Sequence, residues 1–105
     1  MLRVAFRKIA PDKIEKIRSW MAEAQQRDDE VRATFRQETV RHEQAYLLQS
    51  GGEHILVYAM EAEDPEAARR AFENSTLKID HEHRQVLAEV VEETLEPELL
   101  YDVRL

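Results

Sequence analysis

The order of hydrophobic and polar positions divides the chain into short strands and amphipathic helices. Residues 2–9 alternate between large apolar side chains and small or basic ones, which is typical of a strand. Pro11 then begins a helix whose apolar stripe runs from Ile14 to Phe35 at spacings of three and four. The stripe is broken only near residues 27–29, so we expect one long helix that is bent or interrupted there.

A β-hairpin is predicted in the middle of the chain. Residues 40–49 and 53–62 have strand character, and the two adjacent glycines between them supply the positive φ angles of a tight turn. Asp64 and Pro65 suit the N-cap and first position of a second helix, which should run to about Asn74.

The last part of the chain predicts another helix and a closing strand. Apolar residues fall on one face of a helix from roughly Asp80 to Glu93, Pro97 excludes helix, and Leu99 to Leu105 has strand character. The resulting order is strand, helix, strand, strand, helix, strand. It predicts a single α+β domain over residues 1–105, with a ferredoxin-like βαββαβ plan, an antiparallel four-stranded sheet and an extra helix.

The second hairpin strand is apolar on both faces, because Ile55 to Met60 contains no polar position that alternates with an apolar one. Right-handed crossovers place both helical layers on the same face of the sheet. The other face must then be covered by something else. A second copy of the same sheet would do this, which predicts a homodimer through the open sheet face. The alternative is a monomer with an exposed apolar patch.

Composition narrows the class of protein further. The chain has 105 residues and no cysteine, so disulfides and thiolate chemistry are excluded. Charged residues interrupt the opening segment, and no apolar run approaches the length of a membrane span. The net charge of −7 is unfavourable for nucleic-acid binding. These features predict a cytoplasmic protein that binds neither nucleic acid nor membrane, and no motif implies a cofactor.

Four segments resemble a known group of proteins: RVAFRKIAPDKIEKIRSWM, LVYAMEAED, NSTLKIDHEHRQV and LLYDVRL. The resemblance covers nearly the whole chain. They are similar to an uncharacterised family of short bacterial proteins in the dimeric α/β-barrel superfamily, in which ferredoxin-like subunits pack sheet against sheet. The resemblance implies the fold and a homodimer, and it implies no established activity.

Enzymes of that superfamily include cofactor-free monooxygenases, haem-degrading enzymes, dye-type peroxidases and sugar mutarotases. The mutarotases look nearest in length and layout, and they use a histidine on the first helix. The corresponding segment here, Lys13 to Gln37, contains no histidine. The sequence therefore lacks the histidine that a mutarotase-like activity would use.

His83 is the candidate catalytic residue, because it lies on the apolar stripe between Ile79 and Val86 while His81 lies outside that stripe. It can act as a general base or bind a ligand, or it can be a core histidine with a polar partner. Its candidate partners are Asp80, Glu43 and Tyr58. On a helix, His81 and His83 are separated by about 200°, so they cannot easily share a metal ion.

Four other side chains have both a structural and a functional interpretation. Asp80 suits the N-cap of the last helix, or it orients His83. Trp20 either edges the core or roofs a pocket. Arg7 and Glu43 lie on inner strands, where they form an ion pair or contribute a base and an acid to a pocket.

These observations predict a small-ligand-binding homodimer whose pocket lies between sheet and helices, lined by Trp20, Glu43, Tyr58, Asp80 and His83. The alternatives are a cofactor-free monooxygenase-like or mutarotase-like enzyme, and a structural or regulatory interaction module with a filled core. A cavity of about 300 Å³ or more beside His83 separates the ligand-binding protein from the interaction module.

Overall fold

Four antiparallel strands form one sheet, and the helices lie between them in sequence. A computed structural model describes all 105 residues. The elements are β1 (Leu2–Ile9), a single 3-10 turn (Pro11–Lys13), α1 (Ile14–Gln26), α2 (Asp28–Glu38), β2 (Val40–Ser50), β3 (Glu53–Ala62), α3 (Pro65–Asn74), α4 (Lys78–Val90) and β4 (Val91–Leu95). The strand order is β2-β3-β1-β4, which is compatible with the predicted ferredoxin-like α+β fold.

The hairpin between β2 and β3 is confirmed. Gly51 and Gly52 adopt φ angles of 56° and 81°, a conformation that residues with a Cβ rarely adopt. In the resulting register Tyr58 lies opposite Ala45 on β2 and opposite Ala5 on β1. This register fixes which side chains share a face of the central strand.

The predicted interruption of the first helix is confirmed at Arg27, whose backbone angles are φ −90° and ψ 48°. The break separates α1 from α2. The Arg27 guanidinium forms ion pairs with Glu23, Glu30 and Glu82, at 2.6 to 2.7 Å. These ion pairs join the break to α4, so the two short helices keep a defined orientation.

The prediction for the end of the chain is wrong in two respects. Helix α4 stops at Val90, and the chain enters β4 directly at Val91, which has φ −80° and ψ 120°. The closing strand is therefore Val91–Leu95, paired with the second half of β1, and not Leu99–Leu105. The latter segment has no regular structure and is exposed, because Pro97 interrupts the ladder before it can pair further with β1.

All helices pack on one face of the sheet. The core on that side consists of six buried hydrophobic residues: Ile9, Ile17, Trp20, Leu56, Ile79 and Val90. A smaller cluster, Val40, Ala62 and Ala68, packs under α3. No helix in the chain is long and apolar enough to cross a membrane.

The opposite face of the sheet, called the open face below, carries apolar side chains that no element of the chain covers. Leu2 is 76% exposed and Tyr46 is 54% exposed. Val4 and Leu48 are also large exposed hydrophobics. The strand register places Val4 opposite Ala59, Tyr46 opposite Val57 and Leu48 opposite Ile55, so these side chains share one face of the sheet. The open face is thus apolar across three adjacent strands, as the sequence predicts.

Candidate functional site

A cleft of about 1690 Å³ lies between the sheet and the helices. About half of its lining residues are hydrophobic, and the irregular segment after β4 also lines it. Four of the five predicted pocket residues come from α4, β3 and α1, and Glu43 comes from β2. The structure brings all five to this one cleft: Trp20, Glu43, Tyr58, Asp80 and His83.

The centre of the site is a hydrogen bond between the Tyr58 hydroxyl and Nε2 of His83, at 2.8 Å. Tyr58 is thus the partner of His83 among the three candidates, and His81 is exposed as the helical register predicts. The His83 ring lies 5.5 Å from the ring of Trp20 and 5.2 Å, edge-on, from that of Phe72. This apolar burial lowers the pKa of His83 to about 4, so the imidazole is neutral at pH 7.

Asp80 is not the N-cap of its helix, so that structural prediction is wrong. The helix begins after Leu77, whose backbone N–H donates to the Ser75 hydroxyl, and Asp80 lies within the first turn. Its side chain is 2% exposed and accepts a hydrogen bond of 2.5 Å from the hydroxyl of Thr34 on α2. A buried carboxylate needs such a donor, so Thr34 and Asp80 tie α2 to α4 beside the cleft.

Sequence reasoning missed Glu38, the last residue of α2. It is 8% exposed, and its side chain makes neither a hydrogen bond nor an ion pair. Burial, together with the nearby Asp80 and Glu43 carboxylates, raises the pKa of Glu38 to about 8. Its position three residues after Phe35 continues the apolar stripe, and that spacing was the available signal.

Glu43 also lacks a partner. Burial raises the pKa of its carboxyl to about 7. The ion pair with Arg7 is absent, because the Arg7 guanidinium donates instead to the backbone oxygen of Phe6 at 3.0 Å. Both side chains line the cleft, so an acid and a base share it without neutralising each other directly.

Trp20 both edges the core and lines the cleft. It is 7% exposed, and its buried indole N–H finds no acceptor in the chain. Leaving such a donor unsatisfied costs roughly 1–3 kcal/mol. Trp20 is the only tryptophan of the protein, which makes its fluorescence and its indole N–H direct reporters of this site.

The chemistry available here is proton exchange and hydrogen bonding. Two carboxyl groups, Glu38 and Glu43, have pKa values near neutrality, while His83 is neutral. Burial also raises the pKa of the Tyr58 hydroxyl, which therefore keeps its proton. No group of three or more acidic or histidine side chains has the geometry to hold a metal ion.

Fold and site together define an α+β protein with a ferredoxin-like sheet and a cleft that contains buried polar groups. The chain belongs to a family of unknown function, DUF6176, whose model matches residues 2–104. Comparison with curated proteins and with solved structures finds no significant match. No activity is assigned to this family, so the cleft is the feature that indicates a function.

Proposed function

We propose that this protein is a homodimer that binds a small molecule in the cleft between its sheet and its helices, beside His83. The observation that carries the proposal is the Tyr58–His83 hydrogen bond on the wall of a cleft of about 1690 Å³. Neutral polar groups held in fixed positions by aromatic neighbours are what a specific binding site requires. The buried Thr34–Asp80 hydrogen bond joins α2 to α4 and stabilises the same side of the cleft.

The size of the cleft favours ligand binding over an interaction module with a filled core. A drug-sized ligand needs a cavity of about 300–1000 Å³. The cleft exceeds this range because it continues beneath the irregular C-terminal segment. A module that acts only through its outer surface has no need of unpartnered buried groups such as Glu38 and the Trp20 indole.

His83 is the residue most suited to a catalytic role if the bound molecule is also a substrate. Its neutral imidazole accepts a hydrogen bond from the Tyr58 hydroxyl at Nε2, and because its pKa is about 4, it would act as a base only where a bound substrate raises that pKa. An activity of the cofactor-free monooxygenase type would use such a base. Binding is the primary proposal, because the geometry supplies a pocket and a base but does not indicate which bond of a substrate would be formed or broken.

The dimer is proposed to form through the open face, as in the dimeric α/β-barrel superfamily. Leu2, Val4, Tyr46 and Leu48 lie exposed there. Soluble monomers rarely keep a contiguous apolar patch beyond a few hundred Å². A second copy presents the same apolar surface, so a two-fold arrangement covers both patches at once.

The binding proposal is tested by a nuclear magnetic resonance screen of small cationic, neutral and anionic aromatic fragments. We expect at least one fragment class to shift the Trp20 indole signal together with the amide signals around Tyr58 and His83. His83→Ala should abolish these shifts while leaving the protein folded and dimeric, and the exposed His81→Ala is the matched control. Fragments that bind only elsewhere, or not at all, would overturn the proposal.

A further inference from the structure

The last seven residues of the chain, 99–105, form an exposed segment that is called the C-terminal tail below. Its sequence, LLYDVRL, has the alternation of a strand with one buried face, because every second position from Leu99 to Leu105 is apolar. The tail nevertheless makes no backbone hydrogen bond to the rest of the chain. Val103, the least exposed of its large apolar side chains, is 70% exposed. The tail is thus a strand sequence without a partner.

The large hydrophobic side chains that the fold leaves exposed lie in two parts of the molecule. Apart from Met1, five belong to the tail and four to the open face. Those of the tail are Leu99, Leu100, Tyr101, Val103 and Leu105, and those of the open face are Leu2, Val4, Tyr46 and Leu48. Soluble proteins rarely leave apolar surface of this extent in water. The same partner can cover both parts if it is a second copy of the chain.

The sheet has unpaired strand edges at both of its ends, and such edges readily accept a further strand. At one end the outer edge of β2 is free along 11 residues. At the other end β4 has only five residues, and residues 2–5 of β1 lack a neighbour on that side because β4 pairs from Phe6 onward. Only the β2 edge is long enough to pair with all seven residues of the tail.

The symmetry of two facing sheets brings the tail of one protomer to the β2 edge of the other. In the order β2-β3-β1-β4, the two outer strands are β2 and β4. A two-fold axis that lies between the sheets, parallel to the strands, reverses this order and keeps the strand directions, so β4 faces the partner's β2. All three neighbouring pairs are antiparallel, so β2 and β4 are antiparallel as well. A tail that continues in the direction of β4 therefore runs antiparallel to the partner's β2.

We propose that the C-terminal tail of each protomer pairs as an additional strand with the outer edge of β2 in a second copy of the chain, so that the two protomers exchange tails. The inference rests on the homodimer of the proposed function and names the segment that completes its interface. The exchanged tail satisfies backbone groups along the β2 edge. Its apolar face, with Tyr101 and Val103, then lies on the same side of the sheet as Tyr46 and Leu48.

The first test measures which residues the tail contacts in solution. Mixed dimers of a ¹³C-labelled and an unlabelled protomer give nuclear Overhauser effects that arise only between protomers. We expect such effects between the Tyr101 or Val103 side chain of one protomer and Tyr46 or Leu48 of the other. Contacts of the tail with residues 2–5 of its own protomer would overturn the inference, and so would a tail without contacts.

The second test compares two neighbouring substitutions that introduce the same residue. Val103→Asn places an amide on the apolar face of the tail, and we expect the dissociation constant of the dimer to rise at least about tenfold in sedimentation. Asp102→Asn is the matched control on the opposite face and should change that constant by less than about threefold. The tail makes no backbone hydrogen bond within its own chain, so both variants should fold. A Val103→Asn dimer as tight as the wild type would overturn the inference.

The outcomes also separate this inference from the proposed function. A wild type that is monomeric at micromolar concentration contradicts the proposed dimer, and the tail exchange is then wrong with it. A dimer that Val57→Glu dissociates while Val103→Asn leaves it intact keeps the open-face interface and excludes the tail exchange. Ligand binding in the cleft is measured independently by the fragment screen.

Discussion

The phenolic oxygen of Tyr58 lies 2.8 Å from Nε2 of His83, and this hydrogen bond joins the central strand to the last helix. Burial keeps both groups neutral, since it raises the pKa of Tyr58 and lowers that of His83 to about 4. A neutral imidazole accepts at Nε2 when its proton is on Nδ1, so the phenol can act as the donor. The pair thus positions the imidazole within the cleft.

The Tyr58–His83 bond should make a measurable contribution to folding. Tyr58→Phe removes the hydroxyl without changing the ring, and we expect a loss of roughly 1 kcal/mol in the free energy of unfolding. In a double-mutant cycle with His83→Ala, the two losses should be non-additive by a similar amount. Tyr101→Phe, at a position that is 80% exposed, is the control, and additive losses at Tyr58 and His83 would contradict the coupling.

Glu38 should make stability depend on pH. Its pKa is about 8 in the folded protein against 4.5 for an ordinary Glu, so the folded state holds a proton that the unfolded state loses between these values. Stability contributed by the protonated carboxyl is therefore present below pH 4.5 and lost as the pH rises through 8. Glu38→Gln should stabilise the protein by something on the order of 2 kcal/mol at pH 8.5, and hardly at all near pH 4.

Urea unfolding of the wild type and of Glu38→Gln across this range measures the effect. His83 changes stability in the opposite direction, because its lowered pKa makes the folded state resist protonation as the pH falls below 6.5. That contribution is common to both proteins, so their difference isolates Glu38. A difference that does not vary with pH would contradict the assigned burial of this carboxyl.

The Thr34–Asp80 hydrogen bond should make stability sensitive to a conservative substitution at Thr34. Thr34→Val keeps the shape of the side chain and removes the only hydrogen-bond donor to the Asp80 carboxylate. We expect a loss of roughly 1–3 kcal/mol in the free energy of unfolding at pH 7, because the carboxylate stays buried without a donor. Thr76→Val, at an exposed position, should change stability by less than about 0.5 kcal/mol. Equal effects at the two threonines would show that the bond contributes nothing.

The proposed dimer depends on the open face. Wild-type protein at micromolar concentration should sediment with about twice the chain mass of 12.4 kDa. Val57→Glu introduces a charge at the centre of that face and should produce monomers, because an unpaired charge is costly to bury. Ala88→Glu, on the exposed side of α4, should leave the mass unchanged. A wild type that sediments as a monomer would exclude a stable sheet-on-sheet dimer.

Local patterns predicted most of the fold. Three examples are the alternation in β1, the paired glycines of the hairpin, and Asp64–Pro65 at the start of α3. Each of these signals involves only residues that are neighbours in the sequence. The Asp64 carboxylate indeed accepts the backbone N–H groups of Glu66 and Ala67, both at 3.1 Å. Such elements can be located from sequence because their physical causes are local.

The position of the closing strand cannot be predicted from local patterns, because it depends on residues that are distant in the sequence. Leu99 to Leu105 has the composition of a strand, but a strand also needs a partner edge, and nothing in its own residues reveals one. Val90 and Val91 pass from helix to strand without an intervening loop, so no turn residue marks the boundary. The pairing of Val91–Leu95 with β1 determines where the helix ends and the strand begins.

Part of the site could be predicted and part could not. His83 was found because its position on the stripe of α4 is set by neighbours three and four residues away. Thr34 and Asp80 are 46 residues apart, and their contact depends on the packing of α2 against α4. Glu38 continues the apolar stripe of its helix, but a charged residue at a helix end usually faces water, so the spacing alone does not predict its burial.

The most direct test of the ligand-binding function is a crystal structure of the protein soaked with the aromatic fragments that shift the Trp20 indole signal. We expect electron density for one fragment in the cleft, beside Trp20, Tyr58 and His83. A cleft in which side chains or the C-terminal segment leave less than about 300 Å³ would contradict the ligand-binding function. So would a cleft of full size that remains empty of every fragment.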